Sequence, residues 1–481
     1  MFKKNLLILL FPISILIHSQ NQEDALRYSL FDNYSTARVS ALGGSFSALG
    51  GNSGAIYSNP AALGTYRTNE FSISLMSNNQ IIETNYIDNK NTVDNHKIIF
   101  PNISYIQTIP IKNGEGWNRL NYAFTYNRKN DLNKDFQINA FNPSNSMGTT
   151  FLQGIDGTNH DELNPFSDYL AFWTYLIDTL PAGTEYFSNI QTIGQNQYKN
   201  IKETGYIDDF DISISGSYRD FLFVGGSFCM SSINFTQHNR YLEDGFQNVD
   251  PLMAENNVES FNYNQDLYVD GFGMNFKIGA IIKPTHFIRL GLTHHSKTYY
   301  ELEETYQTNM TTNFFDGDEF TAISPLNYFN YKLNTPAKSI GSLAIVFAKK
   351  GLITIDYESI DYGSSTLSST NYSFFTENNN IIDFYRRTNN KKIGVEWKLK
   401  DIAFRGGYAI FGSPFNNNLN NERKYISGGI GFQTGAYFFD IAIISCVLDD
   451  EYMLYESIET VQIAEIGVSN QTLIISCNYK F

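Results

Sequence analysis

The sequence predicts an all-β chain, a transmembrane barrel of fourteen antiparallel strands with a small N-terminal plug and a helical extracellular loop. Three observations predict it: period-two alternation of apolar and polar residues, strict alternation of short and long joints between those segments, and a secretion signal at the start. Alternation places successive side chains on opposite faces of a sheet. Thus Phe210, Ile212 and Ile214 interleave with Asp211, Ser213 and Ser215, and Phe272, Met274, Phe276 and Ile278 with Gly273, Asn275, Lys277 and Gly279. A half-buried soluble sheet alternates in the same way, so the joints carry the distinction. Short ones read Arg219-Asp220, Lys283-Pro284-Thr285-His286, Lys349-Lys350-Gly351, Lys400-Asp401 and Thr434-Gly435-Ala436. Between them stand longer polar stretches at 241–260, 306–328, 363–384, 413–422 and 449–464.

At the N-terminus, Lys3 and Lys4 precede an apolar run from Leu6 to Ile17, with Ser19 just before polar residues. This pattern fits a secretory signal peptide over 1–19, too short to span as a helix. Beyond it no run of about 18 apolar residues exists. The mean hydropathy of -0.28 suits a barrel, whose strands turn only half their residues to lipid.

Counting back from the end gives eleven strands: 207–218, 221–240, 261–282, 287–305, 329–348, 352–362, 385–399, 402–412, 423–433, 437–448 and 465–481. Upstream, 71–78, 98–109 and a long interrupted stretch, 117–142, supply three more. Fourteen is even, as closure with both ends on one side requires. The polar patch 127–134 inside the third stretch reads as a kink or as a hairpin turn, and parity favours the kink. The last strand ends on Phe481, similar to the terminal signal by which such barrels are handed to their assembly machinery.

Between signal and barrel, 20–70 is a region rich in small residues, with Gly-Gly at 43–44 and 50–51 and Asn59-Pro60 breaking regular structure. No Lys-Ser or Lys-Thr follows the glycines, which excludes a phosphate loop. A compact plug inside the lumen is the natural reading, with the barrel proper over 71–481. Here the chain resembles the FadL/TodX family of outer-membrane transporters for hydrophobic compounds, in the form common among Bacteroidetes. The stretch 54–63, Gly-Ala-Ile-Tyr-Ser-Asn-Pro-Ala-Ala-Leu, is similar to that family's hatch motif, centred on Asn59, Pro60 and Ala61. Similar character continues at 211–218, 271–279, Asn334-Thr-Pro-Ala-Lys338 and Phe404-Arg-Gly-Gly-Tyr408. The resemblance implies a cell outer membrane location in a Gram-negative bacterium and a gap in the wall at a kinked third strand. It also implies passive uptake of long-chain fatty acids or aromatic hydrocarbons, bound in the lumen and released sideways. The alternative it leaves is a protein-binding barrel that shuttles secreted polypeptides.

The longest loop, 143–206, carries Phe166, Tyr169, Leu170, Phe172, Trp173, Leu176 and Ile177 at helical spacing, with Asn164-Pro165 as a helix start. Such a helix either packs on the barrel or forms an outer groove for a lipophilic ligand. In the lumen, alternation points Asp211, Lys277, Arg289, Asp356, Glu358, Glu396, Lys398, Arg405 and Asp440 inward. Lys277, Arg289 and Arg405 could hold a ligand carboxylate, or could form ladders with neighbouring acids and tether the plug. His294 and His295 adjoin in one strand and face opposite sides, a poor metal arrangement. No nucleophile and base stand at recognisable spacing, so no enzyme, metal or cofactor is expected. A net charge of -15 argues against nucleic acid, and the 32 Tyr and 38 Phe suit aromatic girdles. The expected partners are a hydrophobic small molecule, outer-membrane lipid and the assembly machinery, with the barrel a monomer.

Overall fold

The computed structural model describes residues 22–481 apart from 113–114, 182, 248–256, 349, 417–420 and 457–460. The expected signal peptide, Lys349 of one short joint, and parts of the stretches 241–260, 413–422 and 449–464 lie outside the described residues.

The chain closes into a barrel of fourteen antiparallel strands. They are β1 Glu70–Tyr86, β2 Asn89–Pro110, β3 in two segments Trp117–Asp131 and Lys134–Asn142, and β4 Gln195–Tyr218. Then come β5 Leu222–Asp244, β6 Val258–Ile282, β7 in segments Ile288–His295 and Tyr299–Phe314, and β8 in segments Glu319–Ile323, Asn327–Asn334 and Lys338–Phe347. The rest are β9 as Gly351–Asp361 with Thr366–Ser368, β10 Arg387–Leu399, β11 Ile402–Phe411, β12 Arg423–Thr434, β13 Tyr437–Glu456 and β14 Val461–Lys480. β14 pairs with β1 from Glu70↔Lys480 to Asn85↔Glu465, which joins the first strand to the last and closes the ring.

The predicted faces hold. Phe210, Ile212, Ile214, Phe272, Met274, Phe276, Ile278, Ile355, Tyr357, Phe404, Leu473, Ile475, Tyr479 and Phe481 are exposed on the outside, while Asp211, Lys277, Asp356, Glu358, Glu396 and Asp440 are buried inside. The short joints lie at strand ends. Arg219-Asp220 turns with both residues at positive φ (51° and 52°), as a two-residue hairpin demands.

The strands run further than alternation alone marks. Residues 79–97 continue β1 and β2 through a tight turn at Ile87 and Asp88 (φ 46° and 59°), so this outer connection is short rather than long. The stretch 306–328 is mostly ladder, the region 449–464 extends β13 and opens β14, and β4 starts at Gln195, which shortens the predicted loop 143–206 to 143–194. A strand crosses the bilayer in about 9–11 residues, whereas β4 has 24 and β6 has 25. Their outer halves therefore stand above the lipid, held by the ladder and by the packing of Ile201, Phe261 and Tyr263 in an apolar cluster with Leu170 and Leu176.

Three helices and a 3-10 turn precede the barrel: α1 Gln22–Arg27, α2 Ala37–Ala41, α3 Ser53–Ser58 and Pro60–Thr65. Two more sit in outer connections, α4 Asp168–Trp173 before β4 and α5 Phe375–Phe384 before β10.

Candidate functional site

The segment 22–66 reaches the inward face of strands all round the ring. Ser476 of β14 accepts from the Ala37 amide at 2.7 Å, and Arg38 donates to Glu396 of β10 at 2.8 and 2.9 Å. Asp356 of β9 accepts the amides of Phe46 and Ser47 and the Ser47 hydroxyl. Tyr57 donates to Asp209 of β4 at 2.8 Å, and Asn121 of β3 to the Leu63 carbonyl at 2.6 Å.

Paired glycines make the close fit. Gly225 of β5 faces Gly279 of β6, and Gly394 of β10 faces Gly407 of β11. A methyl group on Gly279 would stand 2.0 Å from Asn59 Oδ1, and one on Gly225 2.6 Å from the Pro60 carbonyl. At Gly407 it would meet the Gly43 amide nitrogen at 2.1 Å, and at Gly394 the Leu42 carbonyl oxygen at 2.6 Å. Two notches in the wall thus receive two tight turns of the segment. Asn59 seats the first: its amide donates to the Ser47 carbonyl at 2.8 Å while Oδ1 accepts from the Ala61 amide at 3.0 Å.

The inward cations expected from the sequence, Lys277, Arg289, Lys398 and Arg405, each have a partner. Lys277 lies 2.7 Å from Asp211, with its ammonium over the Tyr57 ring. Arg289 donates to the Leu49 carbonyl, and Arg405 bridges Glu396 at 2.6 Å and Asp440 at 2.7 Å. Lys398 donates to Gln433 and Lys338 approaches Glu358 at 3.4 Å. His295 contacts the Ser58 carbonyl at 2.9 Å while His294 faces outward to Ser339, on opposite sides as alternation requires. Among the described residues no group of His, Cys, Asp and Glu could hold a metal.

The interruption in β3 is a bend within one strand, because both segments pair with β4: Asp131↔Tyr206 before it and Lys134↔Glu203 after it. Fifteen strands are thereby excluded. Beyond the bend β3 leaves its other neighbour. β2 pairs with β3 only from Asn102↔Asn127 to Pro110↔Arg119, so the outer half of β2 has no main-chain partner on that side. Side chains span the gap: Asn95 donates to the Asp135 carbonyl at 3.2 Å, Asn89 to the Asn139 carbonyl at 2.8 Å, and Thr84 of β1 to the Gln137 carbonyl at 2.5 Å. The last bond places the second segment of β3 behind β2. A small cleft of about 60 Å3 marks the gap, and a cavity of about 220 Å3 lies inside it. Asn78, Gln80, Asp131, Asn133, Lys134 and Glu203 line both, while Leu30, Tyr34, Phe235, Tyr425, Leu448 and Val468 give the cavity an apolar inner side.

Gly205 permits the bend. Its φ is +150°, and a methyl group there would stand 2.1 Å from the Asn234 carbonyl oxygen. Asn133 holds the geometry from the other side, exchanging contacts with the Gly205 carbonyl and amide at 3.3 Å. A glycine inside a strand of polar residues is the sequence signal for this feature.

A second irregularity crosses β7, β8 and β9 at one level, at 296–298, 335–337 and 362–365, where Pro336 cannot donate to a ladder. There the same neighbours re-pair beyond the break, His295↔Lys338 giving way to Tyr299↔Asn334. Lys297 closes it by donating to the Ser364 carbonyl at 3.0 Å.

The loop 143–194 covers the mouth. The expected long helix is shorter than its stripe: α4 spans six residues, Pro165 lies in a turn, Tyr175 at φ 56° ends the helix, and Ile177 enters the small hairpin Ile177–Thr179 with Tyr186–Ser188. Leu170, Leu176 and Ile177 are fully buried against Phe136, Ile138, Phe261 and Met310. The Phe166 carbonyl accepts from Tyr263 and Thr308, and its ring packs beside Tyr306 above the lumen. Tyr169 and Phe172 are half-buried, and Trp173 is exposed. The stripe is therefore divided, Phe166 and the aliphatic members packing on the barrel while Tyr169, Phe172 and Trp173 stand at the outer edge.

Burial pushes the Asp168 carboxyl up to about 6. Because its folded value lies above its ordinary one of 3.8, the folded loop binds this proton more tightly than the unfolded chain does. The associated stability is present at low pH and lost as pH rises through about 6. Hydrogen exchange of 160–180, corrected for intrinsic rate, is expected to show more protection at pH ~5 than at pH ~7.5, and Asp168→Asn to remove the difference.

No protein-family model matches the chain, and no curated protein matches it by sequence. Solved structures do match in fold. A FadL homologue from Pseudomonas aeruginosa superposes with a TM-score of 0.60 at 13% identity, over 94% of this chain and all of that one. The Pseudomonas putida toluene transporter TodX gives 0.55 at 15% identity, over 94% of this chain and all of that one. The resemblance read in the sequence is thus a likeness of the whole fold.

Proposed function

We propose that the protein is an outer-membrane channel for the passive uptake of small hydrophobic compounds. The observation that carries this reading is the place where the wall fails to re-pair. There a cavity with an apolar inner side adjoins a gap between neighbouring strands that diverge. A ligand would enter beneath the loop 143–194, rest against Leu30, Tyr34, Phe235 and Tyr425, and leave sideways past Asn133 and Gly205. Residues 22–66 act as the plug that blocks the straight path, seated by Asn59, Pro60 and Ala61. The aromatic edge of the loop, Tyr169, Phe172 and Trp173, is the landing surface. At about 220 Å3 the cavity is smaller than the ~300–1,000 Å3 typical of drug-sized ligands, which favours a compact aromatic over a fully enclosed long chain. The likeness to a toluene transporter supports the same class.

Lys277, Arg289 and Arg405 serve to hold plug and wall together, since each is already engaged by an acid or a plug carbonyl. The test is uptake of labelled toluene and of labelled oleate by a Gram-negative host lacking its own hydrophobic-compound channel. Faster toluene uptake than in the empty-vector host is the expected result, and equal rates for both compounds with and without the protein would end the proposal.

A further inference from the structure

The outer face of β10 to β12 carries a row of cations where the lipid-facing band ends. The ladder places Tyr357, Lys391, Ile410 and Lys424 side by side on neighbouring strands, all on one face. One step below runs an exposed apolar row, Ile355, Ile393, Tyr408 and Ile426. Lys391 and Lys424, both exposed, are two strands apart, roughly 10 Å at the usual strand spacing. Above them stand exposed Arg387 and Arg386.

Helix α5 ends beside these arginines with Phe375, Ile382 and Phe384 turned to the outside. It is fixed to the connection after β11, the Asn416 amide donating to the Phe384 carbonyl at 2.7 Å and the Arg386 amide to the Pro414 carbonyl at 2.9 Å. Against the four cations stand Asp361, which pairs with Arg387 at 3.1 Å, and exposed Asp383. Glu422 and exposed Asp449 stand at that upper level too, whereas the row next to the apolar band, Tyr357, Lys391, Ile410, Lys424 and Val447, carries two cations and no acid on a chain of charge -15. The matching border on β6 and β7 is acidic, with Glu301 level with Phe272 and paired with Lys332 of β8 at 3.0 Å, and with Asp270 opposite Glu303 one step above. A rim serving solubility alone gives no reason for this difference.

We infer that this flank binds a phosphorylated glycolipid of the outer leaflet, its phosphates on Lys391, Lys424, Arg386 and Arg387 and its acyl chains along Ile393, Tyr408 and Ile426. Cations just above an apolar surface meet a headgroup phosphate through charge-assisted hydrogen bonds while their stems lie along the chains. The inference rests on the outer-membrane placement and not on the transport of hydrophobic compounds.

The test uses the purified full chain in a neutral detergent, with diphosphoryl lipid A, its dephosphorylated form, and inorganic phosphate as separate probes, read by native mass spectrometry. Wild type is expected to retain diphosphoryl lipid A and to release it at least tenfold more readily after Arg386→Gln, Arg387→Gln, Lys391→Gln and Lys424→Gln together, each charge near a membrane surface being worth about 1 kcal/mol. Heat-modifiable gel migration reports whether the fourfold variant folds, and Lys391→Gln with Lys424→Gln is the substitute if it does not. Equal retention of the two glycolipids, unchanged retention in a folded variant, or displacement by millimolar phosphate alone would overturn the inference. Toluene uptake in the same variants stays at the wild-type level, so a failure of the transport reading shows separately.

Discussion

Gly407→Leu is expected to turn a closed barrel into an open one. A side chain at this position points into the notch occupied by Leu42 and Gly43, and its first carbon would already lie 2.1 Å from the Gly43 amide nitrogen. Overpacking of a core commonly costs about 1–3 kcal/mol because neighbouring side chains shift, but here the obstacle is backbone on both sides. The wall cannot yield, since Gly407 is held between Gly394 of β10 and Ser427 of β12. Residues 22–66, joined to the barrel by one covalent link, by side-chain contacts and by the main-chain bond from the Asp32 amide to the Lys129 carbonyl, are the part expected to move. Planar-bilayer recording is expected to show large steady conductance in Gly407→Leu and in Gly279→Leu, equal to that of a chain lacking 22–66 and far above wild type. A closed wild type with equally closed variants, while the deletion conducts, would refute the notch argument. A deletion that does not conduct would refute the plug itself.

The strand count and both faces of the wall were legible because lipid selects one face strongly. Where Phe272, Met274, Phe276 and Ile278 meet hydrocarbon, every second residue must be apolar and the period shows. The outer halves of the strands were not legible. At 80–86, Gln-Ile-Ile-Glu-Thr-Asn-Tyr turns Ile82, Thr84 and Tyr86 to a mixed interior while Ile81 and Glu83 share the other face, and at 449–456 acidic and aromatic residues mix without phase. Such stretches stay extended through ladder bonds that residue type does not record. The loop helix is shorter than its stripe predicts for a related reason: the stripe from Phe166 to Ile177 reports burial, and burial is met equally by a six-residue helix followed by a hairpin. The site was legible in part. Asn59, Pro60 and Ala61 stand out by composition, whereas the glycines that receive them, Gly225 and Gly279, lie on two strands and become a site only through register.

Gly205→Val is expected to abolish uptake of hydrophobic compounds while leaving the barrel folded. With φ at +150° the native backbone is one that a β-branched residue adopts only under strain of about 1–3 kcal/mol. The new side chain would also drive into the Asn234 carbonyl and the Phe235 backbone on β5. The cheapest relief is to straighten β3 and β4, because the alternative is to break the long β4–β5 ladder, which is continuous from Asn196↔Asp244 to Tyr218↔Leu222. A straight β3 would return Lys134–Asn142 from behind β2 to a position beside it, giving the outer half of β2 the main-chain partner it lacks. That pairing shuts the gap and buries the polar lining of the cleft. Heat-modifiable migration should match wild type, conductance should stay low because the plug is untouched, and toluene uptake should fall to the empty-vector rate. Wild-type uptake in a folded Gly205→Val barrel would show that ligand leaves by another path, and the β3 bend would then be a feature of packing alone.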